Sequence, residues 1–170
     1  MRKRVSILGS GISGVGAAIL AKDKGYEVFV SDSNEITSNV KNKLDFISIP
    51  WEENKHSYAE LKKSDLVIKS PGISNESEII VKLKNSNVKI ISEIEFASTH
   101  TNSFIIGITG SNGKTTTTKL IYHILNNSGL NVGIAGNIGT SFSKQIAENK
   151  FDYYVLEISS FQLDDIVDFK

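Results

Sequence analysis

The sequence contains no cysteine. That excludes a disulfide framework, a thiolate zinc site and a cysteine nucleophile, and it suits a reducing compartment. It carries no net charge either, with 19 basic and 19 acidic side chains. The balance argues against the electrostatic footprint needed for nucleic acid or an anionic membrane surface, so small molecules are the expected partners. No stretch approaches the roughly 20 apolar residues that span a bilayer. A cytoplasmic, monomeric protein is expected, with no nucleic-acid or membrane partner. Repeats, low-complexity tracts and heptads are also missing.

Arg2-Lys3-Arg4 followed by "VSILGSGISGVGAAILA" has the basic and apolar regions of a signal peptide. The glycines at 9, 11, 14 and 16 make a poor apolar helix of it. A buried strand, a glycine turn and a helix account for the same residues better.

What is present is alternation. Runs rich in β-branched and aliphatic residues predict strands at 4–8, 27–31, 66–69 and 88–91, with helices at 13–24, closed by Gly25, and at 76–84. The stretch 37–58 predicts only a helix and a short strand near 46–49. After the polar run Ser98 to Ser103 the pattern restarts: strand 104–108, helix 114–127 stopped by Gly129, strand 131–135, helix 141–148 and strand 153–158. The fold class is therefore α/β. A Rossmann-like parallel-sheet domain over residues 1–98 precedes a truncated P-loop-type α/β domain over 99–170.

Each half opens on a glycine turn between a strand and a helix. Gly9-Ser10-Gly11-Ile12-Ser13-Gly14 fits G-x-G-x-x-G, where glycine lets the backbone approach phosphate and the helix N-terminus attracts the anion. Asp32, 18 residues past Gly14, stands where a dinucleotide-binding domain places its ribose acid. Alone, this half points to a dinucleotide enzyme, the alternative being a turn that merely packs helix on sheet.

The second turn, "GITGSNGKTT" at 107–116, lacks the first glycine of a Walker A loop, because position 108 is isoleucine. It keeps the parts that matter for phosphoryl chemistry. Gly110, Ser111, Asn112 and Gly113 supply backbone amides, Lys114 a point charge, and Thr115, with Thr116 less firmly, a hydroxyl for magnesium. Glu157 closes a buried strand at the same sheet edge, where it would reach a nucleotide-bound metal; a structural ion pair is the alternative. His56, His100 and His123 receive no role, and Trp51 is read as a packing residue.

The glycine turn, the shortened loop, "AGNIG" at 135–139 and "EISSFQL" at 157–163, in this order, resemble the Mur ligases of peptidoglycan precursor synthesis. "KSPGIS" at 69–74 and "SEIEFA" at 92–97 look like the branch that adds D-glutamate to UDP-N-acetylmuramoyl-L-alanine. The resemblance implies that the first domain binds UDP rather than NAD. Gly11, Ile12 and Ser13 would meet the diphosphate, Asp32 and Ser33 the uridine, and Ser70, Pro71 and Gly72 would help enclose it. Where the family often lays a basic residue over the uracil, this chain has Asn34.

For the second domain the resemblance implies ATP and Mg2+ as cofactors and amide formation through an acyl phosphate. Lys114 and Glu157 would be the catalytic pair, Thr115 and Glu157 the metal ligands. Asn137, Ser159 and Gln162 would face the muramoyl substrate or its metal. The family's second-metal histidine, carbamylated lysine and amino-acid-binding domain fall beyond position 170. The 170-residue chain alone is thus expected to be inactive. An NAD(P)-dependent oxidoreductase, a nucleotide-binding module without chemistry, and a sister ligase adding another amino acid are the competing readings.

Overall fold

The computed structural model describes residues 2–164 and 166–169. Two all-parallel sheets organise them. The first has the order β3-β2-β1-β4-β5, from β1 (Arg4–Leu8), β2 (Glu27–Ser31), β3 (Trp51–Glu52), β4 (Leu66–Lys69) and β5 (Lys89–Ser92). The second has the order β6-β8-β7, from β6 (Phe104–Ile108), β7 (Val132–Gly136) and β8 (Tyr153–Glu157). The α/β class and the Rossmann-like first sheet expected from the alternation are what the chain adopts.

Strand β1 shows how burial selects this arrangement. Its residues alternate between two cores, Val5 and Ile7 facing one and Leu8 the other. On the first face lie α1 (Ile12–Asp23), α2 (Ser38–Phe46) and α5 (Glu93–Ser98); on the second, α3 (Tyr58–Leu61) and α4 (Glu78–Asn85). In the second sheet, α6 (Lys114–Asn127) covers one face and α7 (Phe142–Glu148) the other. A short α8 (Ser160–Leu163) follows β8.

Helix α7 also packs on α1, so one apolar core runs from Val5, Ala17 and Leu20 through Phe142 to Tyr154 and Leu156. A Cβ at Gly16 would lie 1.9 Å from Ser141 Oγ, so the contact requires glycine there. Covered by its own sheet and by α7, α1 buries Gly14 to Ala18, Leu20 and Ala21, which explains an apolar run with no polar face. Among the described residues no helix is long and apolar enough to cross a membrane.

Four helices end alike. After α1, Gly25 (φ 81°) donates to Lys22 O and Tyr26 to Ala21 O; after α6, Gly129 (φ 79°) donates to Asn126 O and Leu130 to Leu125 O. Ser48 (φ 53°) after α2 and Asn87 (φ 57°) after α4 adopt the same left-handed turn without glycine. The expected strand near 46–49 is therefore corrected. Phe46 is the last residue of α2 and 90% exposed, while Ile49 is the buried residue that closes the Schellman turn, and the strand begins at Trp51. Trp51 packs as expected, its Nε1 donating to Asp45 Oδ1 at 2.9 Å under the Lys41 ammonium.

Two acids of α5, a helix not expected from the sequence, tie the sheets together. Glu93 is 2% exposed; its Oε1 accepts from Ser143 N at the start of α7, while Oε2 is buried without a hydrogen bond among the described residues. Glu95 accepts from the amides of Val167, Asp168 and Phe169 at 3.0, 3.0 and 3.1 Å. Burial pushes the Glu93 carboxyl up to about 7, against the Ser143 bonds. A raised carboxyl stabilises the fold in full below its ordinary value of 4.5, and that contribution disappears as pH rises through about 7. At about 1.4 kcal/mol per unit, the loss is large for one group. Wild-type thermal stability should therefore fall relative to Glu93→Gln between about pH 5 and pH 8. Parallel pH profiles of the two proteins would contradict it.

Candidate functional site

The first site lies where the strand order reverses. β1 runs between β2 and β4, so the loops leaving β1 and β4 part at the carboxyl edge and open a crevice, the usual ligand position in such sheets. Gly9 to Gly11 leave β1 there and Ser70 to Gly72 leave β4. A Cβ on Gly9 would lie 2.6 Å from Ser70 Oγ, and that hydroxyl is buried without a hydrogen-bond partner among the described residues. Helix α1 starts at Gly11 with no side-chain cap and no acid in its first turn. An orphaned hydroxyl beside an uncapped helix N-terminus fits an anion. Gly11 is exposed, as is Ile12, while Ser13 is partly covered.

Asp32 has a task that sequence did not reveal. Its Oδ2 accepts from both the amide and the hydroxyl of Ser10 at 2.7 Å, and Oδ1 from Asn34 N at 2.9 Å. Burial pushes its carboxyl upward. The Ser10 hydroxyl, the Asn34 and Ser10 amides and His56 outweigh that and hold it below the usual aspartate range. Asp32 thus pins the glycine turn while standing beside the crevice. Exposed Ser33 lines an adjoining cavity of about 510 Å³ with His56, Gly72 and Ile73.

The second site forms at the corresponding edge of the second sheet. Gly110 (φ 143°) and Gly113 (φ 77°) shape the loop, and α6 starts at Gly113 with neither a side-chain cap nor a first-turn acid. Lys114 Nζ donates to Gly110 O at 2.7 Å across the loop mouth. Ser111, Asn112 and Thr116 are exposed around it.

Beneath the loop sits Glu157, 2% exposed. Its Oε2 accepts from Thr115 Oγ1 at 2.6 Å and its Oε1 from Asn137 Nδ2 at 2.9 Å. Neutral dipoles alone hold this carboxylate, for it forms no ion pair among the described residues. That arrangement is costly unless a cation completes it. A carboxylate beside a hydroxyl offers the hard oxygen donors that magnesium takes, with nucleotide phosphate supplying others. The residues present fit the group.

A cleft of about 710 Å³ joins the two sites, lined by Lys69, Pro71 and Ile73 from the first and by Asn137, Ser159 and Phe161 from the second. Asn137 and Ser159 both line this cleft. Gln162 does not: it is 4% exposed, and its Oε1 accepts from Ser159 N while Ser159 Oγ accepts from Gln162 N, a capping box for α8. Its role is to hold Ser159 in place. Among the histidines, His123 meets Asn127 on the surface and His100 closes α5 on Phe96 O, whereas His56 lines the first cavity.

A glycine turn at the switch point of one parallel sheet, and a second glycine loop with a strand-end carboxylate at the edge of another, define an α/β protein with two candidate sites. Family models place it further. The MurD N-terminal domain matches residues 4–79 and the Mur ligase middle domain residues 108–170. The UDP-N-acetylmuramoylalanine–D-glutamate ligase of Bacteroides fragilis is 54% identical over 168 residues, 99% of this chain and 38% of that protein's length. That of Pelodictyon phaeoclathratiforme is 40% identical over 167 residues, 95% of this chain and 36% of its own. The solved murein ligase from Neisseria meningitides, named for UDP-N-acetylmuramate:L-alanyl-gamma-D-glutamyl-meso-diaminopimelate, superposes with a TM-score of 0.63 at 23% identity, over 92% of this chain and 52% of that one. A pseudomurein peptide ligase type C from Methanothermus fervidus gives 0.57 at 27%, over 94% and 33%. The chain belongs to the Mur ligase family and carries the MurD-type N-terminal domain with the start of the middle domain. It spans just over a third of the length of the curated relatives it matches.

Proposed function

We propose that this chain forms the uridine-nucleotide and ATP sites of a ligase that joins D-glutamate to UDP-N-acetylmuramoyl-L-alanine. Residues 1–98 would hold the UDP substrate and 99–170 the start of the ATP-binding domain. The observation that carries the reading is the convergence of Thr115, Asn137 and Glu157 under the phosphate loop, with Asn137 at one end of a cleft whose other end is the Pro71-Gly72-Ile73 loop.

In this reading Gly11 to Ser13 receive the diphosphate, Asp32 holds the turn, and the Ser70-Pro71-Gly72 loop covers the ligand. The cleft leads the muramoyl group past Ser159 to Asn137. The loop amides of 110–116 and the Lys114 ammonium meet the triphosphate, and Thr115 and Glu157 would hold magnesium, which screens phosphate charge when bound. The alanyl carboxylate takes the γ-phosphoryl group from ATP, releasing ADP. The amine of D-glutamate then attacks the acyl phosphate, forming the amide and expelling phosphate with loss of a proton. Orientation and preorganised charge do most of this work.

The test uses a protein of the relatives' full length that carries this segment. Phosphate release from MgATP should require both UDP-N-acetylmuramoyl-L-alanine and D-glutamate, and the isolated 170-residue chain should show none. Release supported by another amino acid in place of D-glutamate would transfer the chain to a sister ligase.

A further inference from the structure

Behind the cavity that His56 lines stands a polar relay that the proposed chemistry does not use. Ser31 Oγ lies 2.8 Å from Glu52 Oε1, 3.4 Å from Lys55 O and 2.7 Å from His56 Nδ1. The carboxylate and the carbonyl can only accept, so the serine's single proton goes to one of them. Were it given to Nδ1 instead, the Glu52 carboxylate would face a bare oxygen lone pair. His56 must therefore supply a proton to Ser31, and the network assigns it the Nδ1–H tautomer. The Nε2 lone pair is then left as an acceptor on the residue that lines the cavity.

The surrounding charges agree. Glu52 is held below its ordinary range, since its bonds from the Ser57 hydroxyl and amide and from Ser31, with Lys55 nearby, outweigh burial. Burial lowers His56 and prevails over the opposing pull of Asp32 and Glu52. The imidazole is thus neutral near pH 7 and retains its lone pair. The other ionisable groups on this cavity are Tyr58, Glu78 and Lys82. The cavity spans the edge from Ser33, past the end of β2, to Gly72 and Ile73, past the end of β4, the two strands that flank β1 and the turn assigned to the diphosphate. That is where a nucleobase attached to the diphosphate would lie.

We propose that His56 is a specificity residue for the base, its Nε2 accepting a hydrogen bond from the N3–H of a uracil ring. The proposal rests on the uridine reading above. Cytosine presents a lone pair at N3 and meets His56 with two facing acceptors. Asn34, in the place of the family's basic residue, leaves the edge contact to carry this discrimination.

Binding of UDP, CDP and N3-methyl-UDP to the wild-type chain, His56→Ala and His56→Gln provides the test. Wild type should favour UDP over N3-methyl-UDP and over CDP by roughly 10-fold, the scale of one buried acceptor left unpaired. In His56→Ala both preferences should collapse towards one. Nitrogen-15 spectra of the wild type add a readout that needs no variant: Nδ1 protonated in the free protein, and Nε2 shifted by UDP and not by N3-methyl-UDP. Equal wild-type affinities for UDP and N3-methyl-UDP, or an unchanged ratio in His56→Ala, would overturn the proposal and leave the uridine site standing. Failure of any uridine nucleotide to bind would overturn both.

Discussion

Glu157→Gln and Lys114→Ala should each lower the turnover of a full-length ligase carrying this segment by roughly 10²-fold or more, the scale of losing one preorganised electrostatic contact. The two losses differ in cause. Glutamine keeps the size of Glu157 and an oxygen for Thr115 or Asn137, but not the charge, so a cation brought to that strand end meets only dipoles. Glu157 forms no ion pair among the described residues, and the bonds at 2.6 and 2.9 Å show a carboxylate already oriented towards the loop. Alanine at 114 removes the only ammonium on the loop; its Nζ, now on Gly110 O, is positioned to exchange that carbonyl for phosphate. Neither change empties a core site, so unfolding temperatures should move little. Near-normal turnover in either variant would remove that residue from the mechanism.

Gly14→Ala should weaken uridine-nucleotide binding by more than 10-fold and destabilise the fold by about 1–3 kcal/mol, as overpacking does. An added Cβ would lie 1.9 Å from the backbone oxygen of Gly9 and 3.3 Å from Ser70 Oγ. A carbonyl cannot rotate away as a side chain would. Helix α1 must back off its own turn, carrying the Gly11 to Ser13 amides away from the Ser70 hydroxyl. Titration of UDP into the variant, with a melt, measures both effects; wild-type affinity would show that the turn is not the anion site.

Much of this was legible where a residue type has one physical use. Glycine turns between apolar strands and helices marked both candidate sites, and an acid ending the buried run "YYVLE" pointed to a ligand or one half of a pair. Helix ends were legible at Gly25 and Gly129 and illegible at Ser48 and Asn87, because serine and asparagine enter the left-handed turn without advertising it. That single gap moved the expected third strand from Trp51 back to 46–49. The pairing of Asp32 with Ser10 and of His56 with Ser31 depends on loops brought together by the sheet, which no local pattern encodes. Glu93 and Glu95 did leave a signal: two acids inside the apolar run "IISEIEFA" must be hydrogen-bonded if buried. Which partners they find, the start of α7 and the amides of 167–169, follows only from how the second sheet docks on the first.

The central claim is that the first glycine turn serves a uridine diphosphate and not a dinucleotide, although its motif and Asp32 read equally well as either. Calorimetric titration of the wild-type chain with UDP and, separately, with NADH and NADPH tests it most directly. UDP or UDP-N-acetylmuramoyl-L-alanine should bind with one site per chain, and the nicotinamide nucleotides much more weakly. Tight binding of NADH with no response to uridine nucleotides would contradict the account.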